Sequence, residues 1–115
     1  EVSPFYEHRV VSYAKYVDHI ISNPQMQPDV FPAVSPMWDN SARRKKGAII
    51  YTESTPAEYE RWLDHIRDTY AKRTLPDRML FINAWNEWAE GNHLEPCQKW
   101  GRQYLEATQR SLQKS

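Results

Sequence analysis

The sequence predicts an α/β fold built from parallel strand–helix units, and three observations predict it. Two short apolar runs, Val30–Val34 and Met79–Ala84, have the look of buried strands. Segments with apolar residues at helical spacing separate and flank them, giving the order helix, strand, long loop, helix, strand, long loop, helix. Each long loop, 35–46 and 85–97, follows a strand, and chemistry in parallel units collects at strand carboxyl ends.

Taken in order, Ser3-Pro4 reads as an N-cap with proline at the first helical position. Val10, Tyr13, Ala14, Val17, Ile20 and Ile21 then carry a helix over 5–22, which Asn23-Pro24 ends before a proline-rich loop through Pro28. Val30–Val34 is a short strand whose Pro32 excludes a central antiparallel position. Residues 35–46 form a polar loop holding Trp38-Asp39-Asn40, and 47–51 form a brief extended segment or edge strand. Thr55-Pro56-Ala57-Glu58 combines a capping threonine, a proline and a capping-box glutamate. The helix it starts runs to about residue 73 on Tyr59, Trp62, Leu63, Ile66 and Tyr70. Met79–Ala84 reads as a strand buried on both faces, and a last helix over 98–113 places Tyr104, Leu105, Thr108 and Leu112 along one side.

Size and composition bound the function. The 115 residues are one domain at most, short of the roughly 250 residues of a barrel enzyme. The chain starts at Glu1 without a methionine, which points to a piece of a longer protein with its remainder missing. Fifteen basic residues balance fifteen acidic ones, arguing against a nucleic-acid or anionic-membrane binder. Arg43-Arg44-Lys45-Lys46 is the basic run, read as a solvated loop. One cysteine, Cys97, excludes an internal disulfide and a multi-cysteine zinc site. It follows Pro96 at an expected helix start and reads as a small packed side chain. No apolar stretch approaches the ~18 residues of a membrane span. Five Trp and seven Tyr suit a carbohydrate-facing surface as well as a small core.

The segment Trp85-Asn86-Glu87-Trp88-Ala89-Glu90-Gly91, running on to Glu95-Pro96, carries the chemistry. Two carboxylates three positions apart lie between and beside two indoles, directly after a strand. Glycoside chemistry needs one carboxyl group for the proton and another for positive charge at the anomeric carbon, with flat rings against the C–H faces of the sugar. Indoles strip water from a neighbouring carboxylate, and two such groups close together divide into an acid and an ionised partner. An i, i+3 spacing brings the carboxyl groups within about 5–6 Å, compatible with a retaining geometry. Glu87 and Glu90 are therefore the candidate catalytic pair, the bland alternative being helix capping or a salt bridge to Arg102. Candidate substrate-binding residues are Trp38, Asp39, Asn40, Trp85, Asn86, Trp88 and Glu95. For Asp39 and Asn40 helix capping competes, and for Trp85 and Trp88 core packing does. Glu87, Glu90, His93 and Glu95 lack ligand spacing such as His-Glu-x-x-His, so no metal and no cofactor are expected. His8, His19 and His65 read as helix-surface or edge residues.

Several pieces together resemble a known family: Trp38-Asp39-Asn40 with Arg43-Arg44, Ser54-Thr55-Pro56, the run Phe81–Pro96, and Gly101 with Tyr104-Leu105-Glu106. They are similar to the C-terminal third of WbsX-type proteins, described as glycosyltransferases or lipopolysaccharide-biosynthesis proteins with a glycoside hydrolase family 99-like domain. The resemblance covers most of residues 30–112. It implies a (β/α)8 TIM-type barrel, of which this chain is the C-terminal portion, about the last two βα units. Related family 99 enzymes are endo-acting α-mannosidases and mannanases with an Asn-Glu-Trp-x-Glu-Gly stretch. By that motif Glu90 corresponds to a general acid/base, and Glu87 to the group that assists attack by the sugar's own 2-hydroxyl. Ala89 departs from the bulkier polar residue of the hydrolases, which bears on substrate identity. The implied partner is an oligo- or polysaccharide, and a biosynthetic role implies the bacterial cytoplasm. Three functions compete: a glycosidase-like domain, a transferase building surface polysaccharide, and a non-catalytic carbohydrate-binding fragment. Neither an Asp-x-Asp pair nor a Gly-rich phosphate loop occurs here, which disfavours the transferase within this stretch.

Overall fold

Strand formation begins where the sequence pattern pointed to a helix. The computed structural model describes residues 8–23, 29–71 and 78–114. Its first element is a strand, β1 (His8–Ser12), followed without a gap by helix α1 (Tyr13–Ser22). The helix expected over 5–22 is thereby shortened. Val10 and Val11 are β-branched and pack well on a pleated surface. The whole strand pairs in parallel with β3 (Ala48–Thr52), Val10 facing Ile50 and Val11 facing Tyr51. His8, expected on a helix, instead sits in this ladder, where its Nδ1 accepts from the Ala48 N–H at 3.3 Å. The N-cap of α1 is Ser12, whose hydroxyl accepts from Lys15 N at 3.3 Å. The expected Ser3-Pro4 cap, the Pro24–Pro28 loop and the helix end at residue 73 lie outside the described residues.

Strand β2 is only Ala33–Val34 and β4 only Phe81–Ile82, both shorter than the apolar runs around them. They pair in parallel, Ala33 with Phe81 and Val34 with Ile82, and the ladder extends through Phe81 N to Pro32 O and Asn83 N to Val34 O. Proline at 32 can accept but not donate, which limits how far β2 can extend. The expectation that Met79–Ala84 is buried on both faces fails: Phe81 is 50% exposed and Met79 48%, because among the described residues β4 is flanked by β2 alone.

Helix α2 (Pro56–Tyr70) forms for the reasons its sequence announces. Thr55 Oγ1 accepts from Glu58 N at 3.2 Å, Pro56 needs no donor in the first turn, and the apolar stripe buries Tyr59, Trp62, Leu63 and Ile66. Two hairpin strands, β5 (Asn86–Glu87) and β6 (Asn92–His93), flank a 310 turn over Trp88–Glu90. Helix α3 is Gln103–Gln113, five residues later than expected. Residues 97–101 instead close a turn through Gly101 N to Cys97 O at 2.7 Å, with Gly101 at φ +57°. Cys97 is thus in a turn, away from a helix start.

The core lies where α1, α2 and α3 meet under β2, and comprises Tyr13, Val17, Val34, Tyr59, Trp62, Leu63, Ile66, Leu94, Tyr104 and Ala107. Three of its members are tyrosines, so each hydroxyl needs a partner. Tyr13 donates to Ser35 O at 2.7 Å, Tyr59 shares a bond with Thr108 at 2.8 Å, and Tyr104 with Ser54 at 2.7 Å. Burial pushes the Tyr59 and Tyr104 phenols up to about 12, so all three stay protonated donors in ordinary conditions. A charged seam ties α2 to α3: Arg110 to Glu60 at 2.8 Å, and Lys114 to Asp64 at 2.7 Å and to Glu60 at 3.3 Å.

Candidate active site

Because β2 and β4 run in parallel side by side, the loops leaving their carboxyl ends meet. Asp39 N donates to Glu90 O at 2.9 Å, and Arg43 Nη1 pairs with Glu90 Oε1 at 3.1 Å. Gly91 completes the junction. It holds φ +53°, and a Cβ there would lie 2.8 Å from the Asp39 carbonyl oxygen. Only glycine accommodates both the left-handed backbone and the close approach. Arg43 to Lys46 are all exposed, as read from sequence; Arg43 differs in that it also pairs with Glu90.

One 310 turn separates the two glutamates. Glu87 is exposed, and no described side chain pairs with its carboxylate. Glu90 is partly buried, its partner being Arg43 rather than Arg102. Trp85 and Trp88 are both about half exposed, at 50% and 47%. The Trp85 carbonyl accepts from Leu94 N and Glu95 N, both at 3.0 Å, which folds the hairpin back on itself. Trp88 stacks on the His93 imidazole with centroids 3.6 Å apart and planes inclined by 12°. Its Nε1 donates to Glu95 Oε1 at 2.9 Å, while His93 Nδ1 lies 3.0 Å from Glu95 O. One indole face is therefore covered and its edge fixed. Asn86 is exposed, its backbone paired with His93 in the hairpin.

The Trp38–Asn40 triplet divides by depth. Trp38 is half-buried and its carbonyl accepts from Tyr51 N at 2.9 Å. Asp39 Oδ1 accepts from both Ser41 N at 2.9 Å and Ser41 Oγ at 2.5 Å, leaving its other oxygen outward. Asn40 is buried, its Oδ1 taken up by Ile49 N at 2.8 Å, so it stands behind the surface and supports the loop. A second buried amide does the same for the hairpin: Asn92, fully buried, accepts from Ala84 N at 3.2 Å through Oδ1. Sequence reasoning read Arg43 as solvated, weighed His93 only as a metal ligand, and gave Gly91 and Asn92 no role of their own. Gly91 carried the one local signal, a glycine closing an acidic turn. Among the described residues no group of three His, Cys, Asp or Glu side chains could hold a metal, and no helix is long and apolar enough to cross a membrane.

Comparison with known proteins decides the family. A family model described as Glycosyltransferase WbsX matches residues 1–108. The chain belongs to the WbsX glycosyltransferase family. It is also similar to the protein WxcX of two strains of Xanthomonas campestris pv. campestris, at 36% identity over 112 residues in each case. That alignment covers 96% of this chain and 16% of either relative, so the chain spans about one sixth of their length. No solved structure matches.

Proposed function

We propose that this WbsX chain supplies the carboxylates of a carbohydrate-active centre working on glycosidic bonds of a polysaccharide of α-mannose type. In this reading it contributes about the last two strand–helix units of a (β/α)8 barrel. One observation carries the reading: the parallel pairing of β2 and β4 sets the Asp39 loop and the Glu87–Glu90 loop in backbone contact at the carboxyl ends of both strands. Ligand sites of parallel sheets gather at that end.

Glu90 is the proton-handling group, delivering a proton to the glycosidic oxygen as the bond breaks and retrieving one in the second half of the reaction. Glu87 assists attack at the anomeric carbon by drawing the proton from the sugar's own 2-hydroxyl. Residues i and i+3 of a three-residue turn return to one side, which supports joint action by the two. Arg43 anchors Glu90 through a largely exposed pair, weak enough for a substrate to displace. Trp85 and the open face of Trp88 receive C–H faces of sugar rings. Asn86, Trp38 and the free oxygen of Asp39 complete the contacts, while Glu95 holds Trp88 in place.

Membership of a glycosyltransferase family favours a second reading, in which the same carboxylates serve transfer to an acceptor sugar during surface-polysaccharide synthesis. The complete protein assayed on α-mannan oligosaccharides, with and without nucleotide sugars and divalent metal, separates the two. Glu87→Gln and Glu90→Gln should each lower turnover by about 10²–10⁴-fold while glycan affinity is retained. Unchanged turnover would leave only a non-catalytic binding role.

A further inference from the structure

The geometry points to a second sugar subsite, built on residues outside the acidic loop, in the groove at the carboxyl end of β3. This rests on the proposed function and extends it. The groove encloses 400 Å³, within the roughly 300–1,000 Å³ of small-molecule sites, and is walled by Trp38, Asp39, Glu53, Lys99, Trp100 and Tyr104. It reaches the acidic loop at Gly91 and His93, so a glycan lying in it runs toward Glu90.

Glu53 is the feature that sets the groove apart. It is the first residue beyond β3 and the one non-glycine among the described residues with positive φ, at +56°. Glycine would hold that conformation without strain, and strained non-glycine residues cluster at ligand sites. A glutamate there keeps an exposed carboxylate at the end of a parallel strand. In the same lining Lys99 Nζ lies over one face of the Trp100 ring, 5.2 Å from its centroid. A half-buried indole, one carboxylate and one ammonium fit a neutral pyranose: its C–H face on Trp100, its hydroxyls donating to Glu53 and accepting from Lys99.

The test is calorimetric titration of the complete protein, in a Glu90→Gln background, with α-mannobiose and α-mannotetraose. Adding Glu53→Gly or Trp100→Ala should weaken tetraose binding about tenfold and leave biose binding unchanged, the size of one aromatic contact. Glu53→Gly should also raise the melting temperature, since it removes the left-handed strain, so loss of binding cannot be blamed on misfolding. Tetraose binding as tight as the parent's in both variants overturns the subsite alone. A parent that binds neither sugar overturns the proposed function and the subsite with it. Full turnover in Glu90→Gln, with tetraose affinity still lost in the added variants, sinks the catalytic reading and leaves the subsite standing.

Discussion

Replacing Gly91 with alanine tests the junction between the two loops. The added Cβ would lie 2.8 Å from the Asp39 carbonyl oxygen and 3.0 Å from both the Asp39 nitrogen and Cβ. Two of those three atoms are backbone, so a side-chain rotation cannot relieve the contact and the loops must separate. The left-handed φ of +53° adds a cost of about 1–2 kcal/mol for any residue with a Cβ. Overpacking adds about 1–3 kcal/mol, for a total near 2–5 kcal/mol. Gly47 and Gly101, at φ +70° and +57° with nothing within 4 Å of an added Cβ, supply the controls. Alanine at either should cost only the first part, about 1–2 kcal/mol. Urea unfolding followed by circular dichroism gives the difference from the midpoint at constant m. Separation of the loops also stretches the Asp39 N–Glu90 O bond of 2.9 Å, so turnover should fall in Gly91→Ala and hold in Gly47→Ala. Equal destabilisation of Gly91→Ala and Gly47→Ala would refute the packed junction.

Three further outcomes follow from the described contacts. Asn40→Ala removes the acceptor of Ile49 N inside the fold and should cost about 1–3 kcal/mol in urea unfolding, an unchanged midpoint refuting its supporting role. The Glu60 carboxyl is held below its ordinary value, chiefly by the hydrogen bond from Arg110 and, against the upward push of burial, by Lys114; at Asp64 burial pushes upward most, but hydrogen bonds from Lys114 and Ser111 together with the Lys114 and Arg67 charges outweigh it and leave the group lowered. A depressed carboxylate contributes stability fully above its unfolded value near 4.3 and loses it as pH falls through the lower folded value, so melting temperature should hold from pH 7 to about 5 and drop below about 4. Glu60→Gln should flatten that drop, and an unchanged acid profile would refute the seam's role. Glu95→Ala frees the Trp88 Nε1 and should change stability by less than about 1.5 kcal/mol while weakening oligosaccharide binding in isothermal titration.

What the sequence disclosed and what it hid divide along the range of the interactions. Helix α2 was legible because its cap, its proline and its stripe are all local. The acidic segment stood out because carboxylates and indoles crowd into a few residues after an apolar run, but it was read as a loop and its hairpin was not foreseen. Strand β1 was not, since Val10 fits both a helical and an extended pattern, and the partner that decides it, Ile50, lies 40 residues on. The Arg43–Glu90 pair spans 47 positions and leaves no periodic trace. Gly101 ended the expected early start of α3 by a left-handed turn, a choice of φ that spacing alone does not reveal. Asn40, expected at the substrate or as a helix cap, and Asn92, given no role of its own, are both buried by segments that fold over them from elsewhere in the chain.

The Trp88 indole has a consequence of its own. With the imidazole of His93 sealing one side, only the other indole face is left open. Any flat-faced ligand stacked on Trp88 would thus have a single side of approach, fixed by the hairpin before a hydrogen bond has been made.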